Sequence, residues 1–242
     1  MIFRDLSELR RAEQMRSDFI ANASHELRTP LASLRGFIET IRGPAAGDPK
    51  AVARFLDIML EQAERMSRLI DDLLSLSRIE RKSHLRPQGV VRLDEVLEGV
   101  VSSLHPLAEK LGVEIAVEGI RRMKVKGDRD ELTQVFENLL ENACKYGQSG
   151  GRVELAVAIQ GPAGAEAPHK AEISVRDHGP GIAAEHLPRL TERFYRVDVG
   201  SSRQKQGTGL GLAIVKHILA RHGLRLNVSS PPGQGARFSV TV

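Results

Sequence analysis

Two long stretches of helix-forming residues, split by a short breaker, constrain this chain more than anything else in it. From Leu6 to about Ile41 apolar residues recur at helical spacing (Leu6, Leu9, Met15, Phe19, Ile20, Ala23, Leu27, Leu31, Leu34, Ile38). At 1.5 Å per residue that helix is on the order of 50 Å long. "RGPAAGDPK" then places two glycines and two prolines in nine residues, a loop signal. A second helix is predicted from about Lys50 to Lys82, in which Met59, Met66 and Leu73 fall seven apart, with Leu69 and Leu76 at three- and four-residue offsets from them. Phe55, Leu56, Ile58, Ala63, Ile70 and Leu74 widen that seam. A hairpin with so wide a stripe cannot cover its own apolar face, and pairing with a second copy into a four-helix bundle covers it.

After "RPQG" the pattern changes. Short β-like runs, "VEIAVEG", "RVELAVAIQ", "AEISVRD", "RLNVSS" and "ARFSVTV", alternate with helical stretches near 93–111, 128–145 and 210–222. The expectation is an α+β sandwich with helices on one face of a mixed sheet, and a biased segment, 161–170, as a hairpin loop. The chain contains no internal repeat.

Composition removes several function classes. In 242 residues, Lys and Arg exceed Asp and Glu by 35 to 31 with interspersed signs, and two tyrosines and no tryptophan leave few stacking platforms. Despite a pI of 9.4, nucleic acid is not expected as a partner. No run reaches the roughly 18 to 20 apolar residues of a membrane span, and the N-terminus lacks an apolar signal core, so the chain as given is expected to be soluble. The single cysteine, Cys144, reads as a packing residue, in agreement with a reducing cytosol.

Three segments carry chemistry. "GTGLGLAIVKHI" sets Gly207, Gly209 and Gly211 ahead of an amphipathic helix, a place for a phosphate on exposed backbone N–H groups. It is neither a P-loop nor a dinucleotide fingerprint. Gly179, Gly181 and Ala184 do fit G-x-G-x-x-A, yet no second strand ending in an acid follows about 20 residues on. In "DELTQVFENLLENACKY", Asn138 and Asn142 share one helical face although asparagine is a poor helix-interior residue, and their amide carbonyls suit a hard cation. "VRDHGPGI" ends a strand with Asp177 at a glycine turn, where a carboxylate can accept from an adenine amino group or serve the turn alone.

With "FIANASHELRTPL" these segments, in this order, resemble the histidine protein kinases of two-component systems over nearly the whole chain. The match comprises the H-box, the N-box "QVFENLLENACKY", the G1 box "DHGPGI", the F-box "ERFYRVD", the G2 box "GTGLGLAIVKHI" and the closing "GQGARF". Within the family the core resembles the phosphate-regulon sensor type among others. The F-box usually opens with phenylalanine, whereas "LTERFYR" has Thr191 there.

The resemblance implies a dimeric phosphotransfer hairpin (16–83) followed by an ATP-binding α/β sandwich of the GHKL (Bergerat) type (84–242), with 1–15 the end of an upstream sensory domain and signalling helix. It implies His25 as the phosphorylated residue, Asn142 with Asn138 at Mg²⁺, Lys145 and Tyr146 near the nucleotide, and Asp177 on adenine with room from Gly179 and Gly181. Arg196 would lie near the phosphates. Gly207, Thr208, Gly209, Leu210 and Gly211 would bound a lid, about 188–208, over ATP. The implied partners are a second copy and the receiver domain of a response regulator. The implied location is cytoplasmic, with any membrane anchor upstream.

Glu26, next to His25, can take the proton the imidazole loses as it attacks, or hold the ring's other nitrogen. Thr29 lies one turn on from His25, where its hydroxyl can orient a water against a phosphoaspartate, so the resemblance implies phosphatase activity too. Pro30 bends the helix and offers a hinge. Two other readings stand beside this one: an ATPase of the gyrase, Hsp90 or mismatch-repair type, which would need a glutamate where Asn138 stands, and a pseudokinase scaffold.

Overall fold

The computed structural model describes residues 7–82, 84–160, 170–197, 207–231 and 233–242. The chain divides into two compact units, Met1–Leu74 and Ser75–Val242.

The first unit is a hairpin of α1 (Ser7–Arg42) and the greater part of α2 (Pro49–Arg81). Asp48 starts α2 by accepting from the backbone N–H groups of Lys50 and Ala51, as an N-cap does. Phe37 and Phe55 stack at 5.4 Å between centroids and tie the two helices near the loop. Leu69 is buried, but Ile20, Leu31, Ile38, Leu56, Leu60, Ile70 and Leu74 are exposed. The wide stripe is therefore only partly covered within one chain. α1 runs unbroken through Pro30, which is buried.

The second unit holds a five-stranded mixed sheet in the order β2-β4-β5-β7-β6 and a separate antiparallel pair, β1 (Val90–Arg92) with β3 (Lys124–Lys126). β2 (Glu114–Glu118) is parallel to β4 (Arg152–Gln160). β5 (Lys170–Asp177), β7 (Arg237–Thr241) and β6 (Leu226–Ser229) continue antiparallel. Among the described residues, α3 (Leu93–Leu111), α4 (Arg129–Tyr146) and α5 (Gly211–His222) pack with the sheet. The core lies between helices and sheet: Phe136, Leu139 and Leu140 of α4 and Ile214 and Ile218 of α5 are buried, as are Leu155 of β4 and Ile173 of β5. β1 and β3 fall outside the sequence expectation. Three residues each, in "VVR" and "KVK", are too few to show a period of two.

The last turns of α2 belong to this second unit. Leu76 and Ile79 are buried, and the Ser75 hydroxyl donates to Gln134 Oε1 at 2.8 Å. Arg221 of α5 closes the exit from the helix: its Nε donates to the carbonyls of Lys82 (3.2 Å) and Leu85 (2.9 Å), and its Nη1 pairs closely with Glu131. These two charged side chains are only 8% and 14% exposed, so either one alone would be a largely desolvated, uncompensated charge. Arg221→Met is expected to cost about 3 kcal/mol or more in chemical denaturation, and Glu131→Gln added to it to recover much of that loss.

Candidate functional site

The segment "SHELRTP" sits on α1. His25 is exposed, and so is Thr29 one turn along. The hydroxyls around it are turned to the helix backbone: Ser24 donates to Ile20 O (2.8 Å), Thr29 to His25 O (3.2 Å) and Ser33 to Thr29 O (3.2 Å). Other described histidines are engaged: His178 with Glu154, His186 with Tyr195, His217 with Glu80, His222 with Ile218 and His105 with Glu109. Among the described residues the His25 ring makes no hydrogen bond or ion pair. Glu26 is half-buried, and its Oε2 accepts from Arg65 Nη2 of α2 at 2.8 Å rather than bonding the neighbouring imidazole.

The second unit gathers the remaining candidates around α4. Asp128 caps this helix by accepting from the N–H groups of Asp130 and Glu131, and apolar Leu132, Val135, Phe136 and Leu139 fix which face is buried. The opposite face carries Gln134, Asn138 and Asn142, all half-buried. Asn138 Nδ2 donates to Gln134 O (2.8 Å), and its Oδ1 lies 2.5 Å from where a Cβ on Gly211 would be. Gly207 is likewise 2.9 Å, at that position, from the Tyr146 hydroxyl, and Gly179 2.7 Å from the Tyr146 carbonyl. Glycines of "GTGLG" and "DHGPG" thus approach α4 at its middle, by Asn138, and at its C-terminal end, by Tyr146.

Asp177 ends β5 and is buried. Its Oδ1 accepts from the N–H groups of Gly179 (2.9 Å) and Ala236 (3.2 Å), which holds the carboxylate rigid against the sheet end. A Cβ on Gly235 would lie 1.9 Å from the Asp177 carbonyl, and this glycine has φ +74°, so the closing "GQGARF" turn is shaped to the same strand end. Gly181, at φ +80°, lies by Ser230, whose hydroxyl accepts from Ile182 N–H at 2.7 Å.

The F-box is joined to the G2 box through backbone. Phe194 has φ +62°, a strained value for a residue with a side chain, and its N–H donates to Gly209 O at 2.8 Å. Gly209, at φ +73°, fits directly against Phe194 Cα. This backbone clamp does not involve Thr191. Leu210 is buried, and the Thr208 hydroxyl accepts from its N–H. α5 starts without a side-chain cap, so its first N–H groups are available to an anion. Arg196 is half-buried just before the segment 198–206, and this part of the expected lid, like residues 1–6 and residues 161–169 of the expected hairpin loop, lies outside the described residues.

Electrostatics separates structural groups from candidates. Lys145 Nζ pairs with Glu141 Oε1 at 2.6 Å on its own helix. Cys144 is fully buried, and that burial pushes its thiol up to about 11, as a packing residue requires. Burial, then the Glu141 charge, raises Glu137 above the usual carboxylate range. Sequence reasoning missed a cluster in the second unit, where Arg193 pairs closely with Glu80 and His217 Nε2 lies 3.7 Å from Glu80 Oε1. Burial lowers His217 below its ordinary 6.5 against the opposing pull of Glu80, with Arg193 and Lys216 adding to the lowering. Below that value the unfolded chain takes up a proton that the folded one resists, so His217 favours folding above about pH 6.5 and loses that contribution on acidification. The fall in thermal midpoint between about pH 7.5 and pH 5.5 is expected to be shallower in His217→Gln.

The donor set around α4 suits a nucleotide with a hard divalent cation. It offers amide oxygens, a buried carboxylate fixed by backbone and a helix start after glycines; among the described residues no cluster of three His, Cys, Asp or Glu side chains forms a metal cage. No helix among the described residues is long and apolar enough to cross a membrane.

Comparison with known proteins matches residues 15–82 to the His Kinase A (phospho-acceptor) domain and residues 127–242 to the histidine kinase-, DNA gyrase B- and HSP90-like ATPase domain. The chain is 40% identical over 241 residues to the phosphate regulon sensor protein PhoR of Pseudomonas aeruginosa, covering 99% of this chain and 52% of that protein. It is 34% identical to the sensor protein kinase WalK of Staphylococcus aureus over 241 residues, covering 100% of this chain and 57% of the relative. It spans about half the length of these relatives. Among solved structures, the Acinetobacter baumannii histidine kinase AdeS superposes with a TM-score of 0.64 at 25% identity, covering 90% of this chain and 96% of that one. Full-length ShkA, solved in complex with AMPPNP, gives 0.60 at 25% identity, over 95% of this chain and 45% of that one. With a phospho-acceptor hairpin and the ATPase fold in one chain, this protein belongs to the sensor histidine kinases of two-component systems.

Proposed function

We propose that this chain autophosphorylates His25 from Mg-ATP and passes the phosphoryl group to an aspartate of a response regulator. The observation that carries the reading is His25 itself: exposed on α1 and, unlike His178, His186, His217 and His222, with its ring uncommitted. Residues 16–83 serve as phosphotransfer hairpin and 84–242 as ATP-binding domain. The exposed apolar residues of α1 and α2 support a homodimer that buries them in a four-helix bundle.

In the transfer a neutral ring nitrogen of His25 attacks the γ-phosphorus. The N–P bond forms, the bond to the bridging oxygen breaks, ADP leaves, and the ring proton passes to the Glu26 carboxylate. Asp177, held by two N–H groups, would accept from the adenine amino group, while Asn138 and Asn142 would hold the cation and Tyr146, Lys145 and Arg196 would line the nucleotide. Mg²⁺ would neutralise charge on the phosphates. The AMPPNP complex of ShkA supports a nucleotide as the ligand of this fold. Gly207, Thr208, Gly209, Leu210 and Gly211 close the site from the lid side. With Asn138 where a water-activating glutamate would be needed, hydrolysis of ATP by water is slow.

Thr29 gives the chain a second activity, dephosphorylation of the regulator. Its hydroxyl is exposed one turn from His25, and its donation to the His25 carbonyl leaves the oxygen able to accept from a water. Incubation with γ-labelled Mg-ATP should give protein-bound label that is lost in acid and survives alkali. Tight ATP binding without such label would refute the kinase reading.

A further inference from the structure

We infer that Arg65 is a positioning residue for phosphoryl transfer, acting through Glu26; the inference rests on the role proposed for that carboxylate. Arg65 and Glu26 are 39 residues apart and on opposite helices of the hairpin, yet Nη2 and Oε2 meet at 2.8 Å. The arginine side chain is 13% exposed and the glutamate 34%, so this is not a loose surface pair that solvent would average away.

The environment explains what such a pair does. A glutamate next to an exposed nucleophile has three side-chain torsions to fix, and a carboxylate that must meet a ring proton gains from having them fixed beforehand. Ser24, Thr29 and Ser33 cannot supply this, because their hydroxyls donate to carbonyls of α1. The guanidinium of Arg65 is the group that reaches across from α2. It engages Glu26 at one oxygen only, and among the described residues Oε1 makes no hydrogen bond. One oxygen is anchored and the other is available to the imidazole proton. The pair also makes Glu26 the counter-charge of a largely buried cation, so removing the glutamate strands Arg65 as well as removing a base.

The test is a double-variant cycle read as initial rates of labelling from Mg-ATP, on the full chain, with Arg65→Gln, Arg65→Lys, Glu26→Gln and Arg65→Gln/Glu26→Gln, each checked for dimer and thermal midpoint. Arg65→Gln is expected to lower kcat about tenfold with KM for ATP unchanged, and Arg65→Lys, which can still place one donor at Oε2, to recover most of the rate. In the Glu26→Gln background the same Arg65→Gln change is expected to have little further effect. An equal fractional loss in both backgrounds, or no loss in either, would overturn the positioning role. Full labelling by Glu26→Gln alone would overturn the reading of Glu26 as base, and Arg65's role with it.

Discussion

A chain carrying His25→Gln is expected to take no label from γ-labelled Mg-ATP while binding the nucleotide as tightly as the parent. Glutamine keeps a polar, helix-compatible side chain at an exposed position of α1 and removes only the nucleophile. Because His178, His186, His217 and His222 are already engaged, none of them is a ready substitute, and the loss should be about 1,000-fold or more. Nucleotide affinity should survive because the residues proposed to bind the nucleotide, from Asn138 to Gly211, belong to the other unit. A parallel fall in ATP affinity would place His25 in the binding site and contradict its role as a phosphoacceptor reached from a separate domain.

Asp177→Asn is expected to weaken ATP binding about 100-fold without unfolding the domain. The amide oxygen of asparagine can still accept from the N–H groups of Gly179 and Ala236, so the buried strand end remains satisfied. Its other terminus, however, becomes a donor that faces the donor of an adenine amino group. Losing one charge-assisted hydrogen bond and setting two donors face to face together cost about 3 kcal/mol, hence the two orders of magnitude. Asp177→Ala would confound the measurement, since it strands two buried N–H groups. Calorimetric titration with ATP and with GTP, beside a melting curve, separates the two effects: the expected variant melts close to the parent and has lost its preference for adenine.

How much of this was legible in the sequence follows from the range over which each interaction acts. α1, α2 and α3 have long apolar periods, and the expected 93–111 helix is Leu93–Leu111. Asn138 and Asn142 share a face because they are four apart, which the sequence states directly. What the sequence could not state are pairs joined only by folding. Arg221 meets Glu131 across 90 positions, Arg65 meets Glu26 across 39, and Arg193 reaches Glu80 across 113. Each of these side chains reads, in its own segment, as one more charge on an amphipathic helix or loop. The positive φ of Phe194 was equally hidden, because nothing about phenylalanine announces it; only Gly209 on the far side of the clamp, with its own φ of +73°, carries a sequence signal. The hairpin's surplus of apolar residues was legible, and it remains exposed in the single chain as a face awaiting a partner.

The central claim is that the phosphoryl group of ATP comes to rest on His25. Its most direct measurement is peptide mapping by mass spectrometry at alkaline pH after incubation with Mg-ATP, alongside the His25→Gln chain. The account predicts the mass of one phosphoryl group on the peptide containing "SHELRTP", localised to the histidine, and none in the variant. The modification on a serine, threonine or aspartate, or on the same peptide in the variant, would contradict it.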